Sequence, residues 1–533
     1  MAVPDELLTK PTKDDSFTPL NRASSSYNPL SSYRLPHGEN KNYMQQFGDM
    51  YFLRLAKLKP VVEAIANDEW DDFEIAGEQA QRVERVLDVR QGQLCWVAGT
   101  VYIDMPLKPN ILEDISKEHW IAGPPPRQSY YSNELPTQVM LEDESGRLRL
   151  TGAMLKNNLL VTGVIIAVLG TENADGDFEV LDVQIPNLPR QPQRWERDEA
   201  QSAVEGKMEV DRKASETKKI AFVSGLDISG TNTDTLRLAL LSEYLLGEAL
   251  GSHDQESAAQ ICRLVIAGNS IASDAIIDAA PGAPEPAKKA ASKKYGYDAA
   301  AYNAIPTTLL DHFLAELLPS LPVTLMPGEH DPANISLPQQ GIHHAMFPHA
   351  RAYASPPLSD PGLQDPGWFD SVTNPWEGDL EGWRVMGTSG QPLDDILKYV
   401  DAGGPCGTDA DGRLEVMESL LRWRCGAPTA PDTLCRWFSV DLMGAKVWKG
   451  TGTNICLGCY PFQDKDQFVI EECPHVYFVG NQPRYDTTVI DGPAGQQVRL
   501  VTIPRFHTTG EMVLLDTETL EVEVVKFDVH DEA

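Results

Sequence analysis

The chain has 533 residues and a formal net charge of −33 at pH 7. A chain of this length predicts two or three domains with large buried cores. The acidic balance argues against a protein that binds nucleic acid on its own, because phosphate binding draws most of its affinity from Lys and Arg. It favours partners with basic or apolar surfaces.

The sequence predicts neither a secretion signal nor a membrane segment. Residues 1–6 lack the basic and apolar regions of a signal peptide. The longest apolar stretch, residues 159–169, is interrupted by Thr162 and Gly163, and it is far shorter than the ~20 residues that span a bilayer. The eight cysteines are therefore expected to be reduced thiols, and we expect a nuclear or cytosolic protein.

The N-terminal part of the chain predicts an arm followed by a helix. Residues 1–40 are rich in Ser, Pro, Asn and Thr and hold few large apolar groups, which predicts a mobile arm. Within residues 41–70 apolar side chains recur at three- and four-residue spacings, which predicts an amphipathic helix that Pro60 could break. Its apolar face either packs on its own domain, the interpretation we favour, or faces a partner.

Residues 71–190 predict a small β-barrel domain. Five strand-like runs follow one another, and the turn sequence of residues 142–146 joins the second run to the third. The runs are residues 94–103, 138–141, 147–150, 159–169 and 178–185. Five strands in this order fit the OB fold, a Greek-key barrel that binds oligonucleotides or oligosaccharides in many proteins.

The charge of this barrel favours contact with protein over contact with DNA. Barrels that bind single strands use exposed aromatic side chains in a positive groove, whereas residues 90–190 hold eight Lys and Arg against 13 Asp and Glu. Trp96 and Tyr102 lie at even spacing on one strand face, and we favour a buried core role for both. Any DNA contact is then weak and shared with a partner.

Residues 191–219 are charged and lack apolar periodicity, which predicts an interdomain linker. The remainder, residues 220–533, predicts a layered α/β domain in which a first strand is followed by a helix. That helix is marked by Leu238, Leu241, Leu245 and Ala249. Residues 279–300, rich in Ala, Pro and Lys, predict a surface insertion.

Three alternating segments near the C-terminus predict strands that complete a two-sheet sandwich. They are residues 498–503, 512–515 and 521–527, with a turn at residues 508–510. Arg505 and His507 precede this turn, and the sequence leaves open whether they touch DNA.

Four polar segments each follow a short apolar run that predicts a strand. They are Gly225–Ser229, Ala267–Ser270, Pro327–Asp331 and Val479–Pro483, after runs at residues 220–223, 263–266, 323–326 and 476–479. The segments resemble the strand-end loops of calcineurin-like phosphoesterases, whose motifs are Asp-x-His, Gly-Asp, Gly-Asn-His-Asp/Glu and Gly-His-x-His. Two-metal hydrolases clamp the attacking and leaving oxygens between ions about 3.5–4 Å apart.

Most metal ligands of that family are replaced here. The His of the first motif is Ser229, and the bridging Asp is Asn269, a neutral amide. The Asn ligand of the third motif is Glu329, and the two His positions of the last motif are Asn481 and Pro483. Proline has no side-chain donor or acceptor. We therefore predict no catalytic residue, no metal ion and no other cofactor at this site.

Three family positions keep a ligand-type side chain, namely Asp227, His330 and Asp331. We expect Asp227 and His330 to form a hydrogen-bonded pair that closes a vestigial pocket. The alternative is a working metal-dependent phosphoesterase, which would have to hold its metal with Asp227, Asn269, Glu329 and His330 alone.

Six strings occur in a fixed order: Leu325–Pro332, Asn374–Trp376, Gly387–Gln391, Ala427–Leu434, Tyr460–Phe462 and Pro474–Pro483. Together they resemble the small (B) subunits of replicative DNA polymerases, those of polymerase delta in particular, from about residue 30 onward. The resemblance implies a multidomain α+β and α/β fold. In that fold an OB barrel packs on an inactive calcineurin-like phosphoesterase domain, a two-sheet sandwich with flanking helices.

The resemblance also implies a function. It implies a non-catalytic scaffold subunit of DNA polymerase delta that acts in the nucleus in replication and repair. Its implied partners are the polymerase catalytic subunit, docked through a C-terminal metal-binding domain, and an accessory third subunit. The catalytic subunit of the translesion polymerase zeta is a further implied partner. An OB protein that binds single-stranded DNA independently is the remaining alternative.

Residues 435–459 depart from the family pattern, in which Pro-Asp-Thr-Leu and Tyr-Pro-Phe are almost adjacent. The segment is either a lineage-specific loop or an intron left in the gene model. Cys456 and Cys459 have the spacing of half a zinc site, which Cys435 and Cys473 would complete. Structural zinc sites usually show a second tight pair, so we favour an insertion.

Overall fold

The computed structural model describes residues 20–36, 48–75, 77–108, 128–132, 136–194, 218–229, 235–248, 252–272, 304–354, 367–400, 412–434 and 459–528. These residues form an N-terminal segment, a long helix, a β-barrel and two six-stranded sheets flanked by helices. Among the helices of this part of the chain, none has the length and apolar character needed to cross a membrane.

The barrel contains six strands in the order β4-β5-β6-β7-β9-β8 and closes through antiparallel pairing of β5 with β8. The strands are β4 (Gln81–Arg82), β5 (Leu94–Asp104), β6 (Gln138–Glu142), β7 (Arg147–Thr151), β8 (Ile165–Glu172) and β9 (Asp177–Gln184). A ribbon, β2 (Glu74–Ile75) with β3 (Glu78–Gln79), precedes them, and a short helix α2 (Met154–Asn157) follows β7. The alternating pattern places Val97, Leu141 and Phe178 in the barrel interior.

The predicted barrel strands are present, but the fourth begins later than expected. The apolar run at 159–169 does not form one strand, since β8 begins only at Ile165. Gly163 has φ of +93°, a left-handed conformation that favours glycine. The chain therefore turns at Gly163, which apolar character alone did not indicate.

The helix α1 (Gly48–Trp70) packs on the outside of the barrel. The predicted break at Pro60 is wrong, because the helix runs through it without interruption. Proline costs about 3 kcal/mol inside a helix. Here Pro60 is exposed while Leu58 and Val62 on either side are buried against the barrel, so packing outweighs that cost. Residues 41–47 of the predicted helix lie outside the described residues.

The two aromatic residues of β5 have different roles. Trp96 is buried between the barrel and α1, with its ring 6.0 Å from that of Trp70, so its predicted core role is confirmed. The same prediction is wrong for Tyr102, which is only half-buried. Its ring lies 4.5 Å from the Arg147 guanidinium and 4.8 Å from the Lys108 ammonium, because α1 does not reach this end of the strand.

The remaining strands build two sheets. They are β1 (Tyr27–Pro29), β10 (Lys219–Val223), β11 (Ile261–Ala267), β12 (Val323–Met326), β13 (Phe369–Ser371), β14 (Trp376–Leu380), β15 (Trp383–Thr388), β16 (Val476–Gln482), β17 (Asp486–Asp491), β18 (Gln497–Pro504), β19 (Glu511–Asp516) and β20 (Val522–Lys526). Sheet I has the order β13-β12-β11-β10-β19-β20, and sheet II has the order β1-β14-β15-β16-β18-β17. One apolar cluster joins both sheets, and in it the ring of Phe222 of sheet I lies 5.0 Å from that of Phe478 of sheet II in a tilted contact.

Helices cover the outer faces of both sheets. They are α3 (Thr235–Leu246), α4 (Ser252–Gln260), α5 (Ile305–Leu317), α6 (Gln391–Ile396), α7 (Arg413–Arg422) and the short α8 (Phe506–Thr509). The helices α3 and α5 share a core with sheet I, whereas α6, α7, sheet II and the barrel share another. The predicted helix after the first strand is present as α3, which ends at Leu246, and its last predicted residue, Ala249, lies outside the described residues. The three C-terminal strands are confirmed as β18, β19 and β20.

Residues 20–36, which we call the N-terminal strap, correct the prediction of a mobile arm. Their strand β1 pairs with β14 at the edge of sheet II, and Tyr33 and Leu35 are buried. The Tyr27 hydroxyl donates to Asp370 at 2.7 Å. Short polar sequences like this one gain order when their few apolar side chains find preformed pockets, which composition cannot show. Residues 1–19 and 37–40 lie outside the described residues.

Three predicted segments fall wholly or largely outside the described residues. These are residues 195–217 of the linker, the insertion at 279–300 and residues 435–458. Lys219 already belongs to β10, and Cys459 is buried and paired with Leu337. The predicted bounds of the linker and of the second insertion stay predictions.

Candidate functional site

The four predicted strand-end segments meet at one edge of the sandwich. The loops after β10 and β11 are joined by hydrogen bonds from Gly225 N to Gly268 O (2.9 Å) and from Asp227 N to Asn269 O (3.1 Å). Gly480 of sheet II approaches so closely that a Cβ there would lie 2.3 Å from the Ala267 carbonyl oxygen. Parallel strands place their carboxyl ends at one edge, and the two sheets bring these edges together.

Three residues of this cluster have left-handed backbones. Asp227, Asn269 and Asn481 have φ of +47°, +52° and +59°. Non-glycine residues rarely adopt this conformation, and Asn and Asp tolerate it best. Such strained positions tend to gather at functional sites, so the backbone of the cluster keeps a geometry typical of a ligand-binding edge.

Asp227 and His330 lie side by side, but at a distance longer than a hydrogen bond. His330 Nδ1 is 3.9 Å from Asp227 Oδ1, so the predicted hydrogen bond is replaced by a looser ionic contact. The carboxylate of Asp227 raises the pKa of His330, and burial acts in the opposite direction.

The side-chain amides of Asn269 and Asn481 form hydrogen bonds with backbone groups of neighbouring loops. Asn269 Oδ1 accepts from the His330 backbone N–H at 3.2 Å. Asn481 Nδ2 donates to the carbonyl oxygens of Ser389 (2.8 Å) and Ala267 (3.3 Å). These bonds link loops of both sheets without any charge.

Both carboxylate oxygens of Asp331 are engaged by backbone N–H groups. Its Oδ2 accepts from Gly328 N at 2.8 Å and its Oδ1 accepts from Ile271 N at 3.0 Å. Burial raises the pKa of Asp331 to about 6, although the backbone N–H donors oppose that rise. The residue ties the second and third loops together.

A neutral polar network that sequence reasoning missed lies beside the cluster. Asn374 Nδ2 donates to Gln339 Oε1 (2.7 Å), Ser389 Oγ (2.8 Å) and Gln391 Oε1 (3.0 Å). Gln339 Nε2 in turn donates to the carbonyl oxygen of Gly328 at 3.1 Å. Asn374, Ser389 and Gln391 belong to the sequence strings that resemble polymerase small subunits. Membership in these strings was the signal by which the sequence could have indicated the network. Their network cross-links the loops with uncharged groups.

The other predicted site residues are scattered around the cluster. Ser229 is buried, whereas Glu329 and Pro483 are exposed. Glu329 lines a cavity of about 130 Å³ that Asp394 and Leu434 also line.

The donor set does not fit two metal ions. A dinuclear centre needs charged or imidazole ligands on both ions, but both oxygens of Asp331 accept backbone N–H groups. Asp227 Oδ1, His330 Nδ1 and Asn481 Oδ1 are buried and have no hydrogen-bond partner among the described residues. In the same part of the chain, no three His, Cys, Asp or Glu side chains converge to hold a metal ion.

Two arginines of β7 on the outer face of the barrel are paired with carboxylates. Arg147 pairs with Glu142 at 2.6 Å, and Arg149 lies 3.6 Å from Asp177. Each arginine is therefore offset by a carboxylate on a neighbouring strand, and Tyr102 is flanked by cations that are already paired.

The two described cysteines of the proposed zinc set lie in different cores. Cys459 packs with Met50, with 3.8 Å between the sulfur atoms, while Cys473 belongs to the core beneath the barrel. Burial raises the pKa of Cys473 to about 12. Cys435 and Cys456 lie outside the described residues.

Comparison with known proteins gives two family matches in chain order. The DNA polymerase delta subunit OB-fold domain matches residues 46–183. The family of DNA polymerase alpha/epsilon B-subunits matches residues 220–487. The first covers the helix α1 and the barrel, and the second covers most of the sandwich.

Curated relatives are similar over nearly their full length. The DNA polymerase delta small subunit of Oryza sativa is 34% identical, covering 95% of this chain and 99% of the relative. That of Saccharomyces cerevisiae is 32% identical, covering 98% and 100%. DNA polymerase delta subunit 2 of Drosophila melanogaster is 32% identical, covering 96% and 99%. This chain belongs to the family of DNA polymerase delta small subunits.

Proposed function

We propose that this chain is a non-catalytic scaffold subunit of DNA polymerase delta that acts in the nucleus in DNA replication and repair. It bridges the polymerase catalytic subunit and an accessory third subunit. The observation that carries the proposal is the similarity to DNA polymerase delta small subunits over at least 95% of the chain.

The sandwich is proposed to be an inactivated calcineurin-like phosphoesterase domain. In support, four strand-end loops converge at one edge and keep left-handed backbones at Asp227, Asn269 and Asn481. Neutral amides and hydroxyls now link these loops, and Asp331 serves the backbone instead of a metal. The cluster in this proposal is a structural cross-link with no hydrolytic step.

The proposed partners are proteins. The catalytic subunit docks through its C-terminal metal-binding domain, and the accessory subunit occupies another part of the surface. The same docking would serve the catalytic subunit of polymerase zeta. The net charge of −33 and the paired arginines of the barrel face support protein contact over independent DNA binding.

Purification of the chain from its native cells at moderate salt, with mass spectrometry of the co-purifying proteins, tests the scaffold proposal. We expect near-stoichiometric recovery of a large family-B DNA polymerase and a third, smaller subunit. Recovery of the chain without any polymerase would contradict the proposal.

Hydrolysis of bis(p-nitrophenyl) phosphate in the presence of Mn²⁺ tests the inactive site. We expect no turnover above that of Mn²⁺ alone. Turnover that Asp227→Asn abolishes would instead support a working phosphoesterase, and the exposed-residue variant Glu144→Gln is the matched control.

Fluorescence anisotropy with a labelled single-stranded oligonucleotide tests the alternative function, independent binding of single-stranded DNA. We expect only weak, salt-sensitive binding by the isolated chain. Tight binding that Arg147→Ala or Arg149→Ala weakens would support an independent single-strand binder.

A further inference from the structure

The string Ala427–Thr433 offers backbone and side-chain groups to several other parts of the fold. The guanidinium of Arg54, which lies on α1 and is 1% exposed, donates to the carbonyl oxygens of Pro428 (2.7 Å) and Ala430 (3.2 Å). The same group reaches the carbonyl oxygen of Gly163 in the barrel at 3.4 Å. One side chain thus connects the helix, the barrel and the sandwich.

A barrel cation meets the same string at its other end. The ammonium of Lys108 forms an ion pair with Asp432, and the Lys108 side chain is only 7% exposed. It also donates to Thr162 Oγ1 at 3.3 Å in the barrel and lies 5.8 Å from the ring of Tyr399 in the sandwich. A buried cation with partners in both domains opposes a change in their relative position, because breaking either contact leaves a buried charge without its partner.

The contact also depends on close approach of the two backbones. A Cβ at Gly163 would lie 2.0 Å from the carbonyl oxygen of Pro428, so only glycine fits the barrel side of the contact. Thr433 anchors the string to the sandwich, since its Oγ1 donates to Asp395 at 2.6 Å and contacts the Tyr399 hydroxyl at 2.9 Å. The string is therefore held firmly on one side and touched by the barrel on the other.

A second attachment joins the barrel to the sandwich at residues 185–191, the crossover by which the chain leaves the barrel. Arg422 and Arg424 of the sandwich both donate to Asn187, each at 2.7 Å. Gln191 Nε2 donates to the carbonyl oxygen of Pro474 at 2.9 Å. One attachment alone would allow the barrel to rotate about it, whereas two attachments at different places define a single orientation.

We propose that Ala427–Thr433 is an orientation joint that sets the angle between the barrel and the sandwich. It presents backbone carbonyl oxygens to Arg54 and a carboxylate to Lys108, and the crossover at residues 185–191 supplies the second fixed point. The string thereby acquires a role separate from the strand-end cluster. Under the scaffold function proposed above, on which this consequence rests, the joint would fix the geometry in which two partners are held.

Hydrogen exchange on the isolated chain, with residue-level mass spectrometry, tests the joint. The reporter is the Tyr130 amide, which lies between β5 and β6 in the sequence of the barrel and donates to the Lys398 carbonyl oxygen of the sandwich at 2.7 Å. The amides of Val168 in β8 and Phe478 in β16 report on the interior of each domain. The variants are Asp432→Asn, which keeps the shape of the side chain, and Lys108→Met, which keeps its apolar stem. The control is Asp88→Asn in an exposed ion pair.

Loosening of the joint should increase exchange at Tyr130 by about tenfold or more, the effect of 1.4 kcal/mol in an equilibrium constant. Exchange at Val168 and Phe478 should stay unchanged in both variants, and the control should match the wild type throughout. The proposal is overturned if Tyr130 exchange is unchanged in both variants, or if all three amides accelerate equally in both. Because no partner is present, this outcome is independent of the test of the scaffold function.

Discussion

The guanidinium of Arg54 donates to the carboxylate of Asp466 at 2.8 Å, and each side chain is only 1% exposed. Burial acts against the charge of Arg54, but Asp466 raises the pKa of Arg54 above its ordinary value. The two residues are separated by 412 positions in the sequence. Their pairing closes the N-terminal helix onto the sandwich.

Removal of one member of this pair should be strongly destabilising. Arg54→Met leaves Asp466 as a buried charge without its partner, and we expect the free energy of unfolding to fall by about 3–5 kcal/mol. Urea denaturation followed by circular dichroism measures the change. Arg85→Met, in an ion pair whose side chains are both 58% exposed, is the control and should change stability by less than about 1 kcal/mol. Equal effects of the two variants would refute the prediction.

A methyl group at Gly163 should also be costly. The φ of +93° disfavours any side chain, and a Cβ would overlap the Pro428 carbonyl oxygen at 2.0 Å. We expect Gly163→Ala to lower the unfolding free energy by more than about 2 kcal/mol, the left-handed strain alone being about 1–2 kcal/mol.

Gly176 supplies the matched comparison for that variant. Its φ is +82°, but the nearest atom to the position that a Cβ would take is the flexible Glu172 Oε1 at 3.9 Å. Gly176→Ala therefore reports backbone strain without overlap. Differential scanning calorimetry of both variants should show the larger decrease in Tm for Gly163→Ala, and the reverse order would contradict the close contact.

Asp331→Asn should destabilise the fold although it preserves shape. Both carboxylate oxygens accept backbone N–H groups, and an amide would place its NH₂ group against one of them. The expected loss is about 1–3 kcal/mol, the cost of a buried unsatisfied donor. Glu329→Gln in the same loop changes an exposed carboxylate and should have little effect. Equal unfolding midpoints for Asp331→Asn and the wild type would exclude this structural role.

The stability that Asp331 contributes should decrease as pH rises. Its pKa is raised from 3.8 to about 6 in the folded protein, so folding favours the protonated form. Its contribution is fully present below pH 3.8 and is lost as pH rises through about 6. The difference in unfolding free energy between the wild type and Asp331→Asn should therefore be larger at about pH 5 than at about pH 7.5. Urea titrations at the two pH values measure it, and a difference that grows with pH would contradict the prediction.

Residue patterns alone predicted part of the fold and part of the candidate site. Apolar runs predicted β10, β11, β12 and β16, because each is a short strand bounded by a polar loop in the sequence itself. Ser229, Asn269 and Asn481, at positions where the resemblance to phosphoesterases implies metal ligands, are equally visible without a structure. The network around Asn374 was not predicted, since a neutral amide has no pattern that reveals its partners.

Sequence by itself thus determined five strands of the barrel, the strands before the four polar loops, the three C-terminal strands, the order of the two domains and the residue types at the strand ends, because these depend on local periodicity and residue chemistry. Only the tertiary structure decided that the N-terminal strap is anchored, that α1 runs through Pro60, that Asp331 serves the backbone and that Arg54 meets Asp466. Each of these outcomes depends on groups brought together from distant parts of the chain. Burial and long-range hydrogen bonds set their energies, and neither can be evaluated before the fold places the partners side by side.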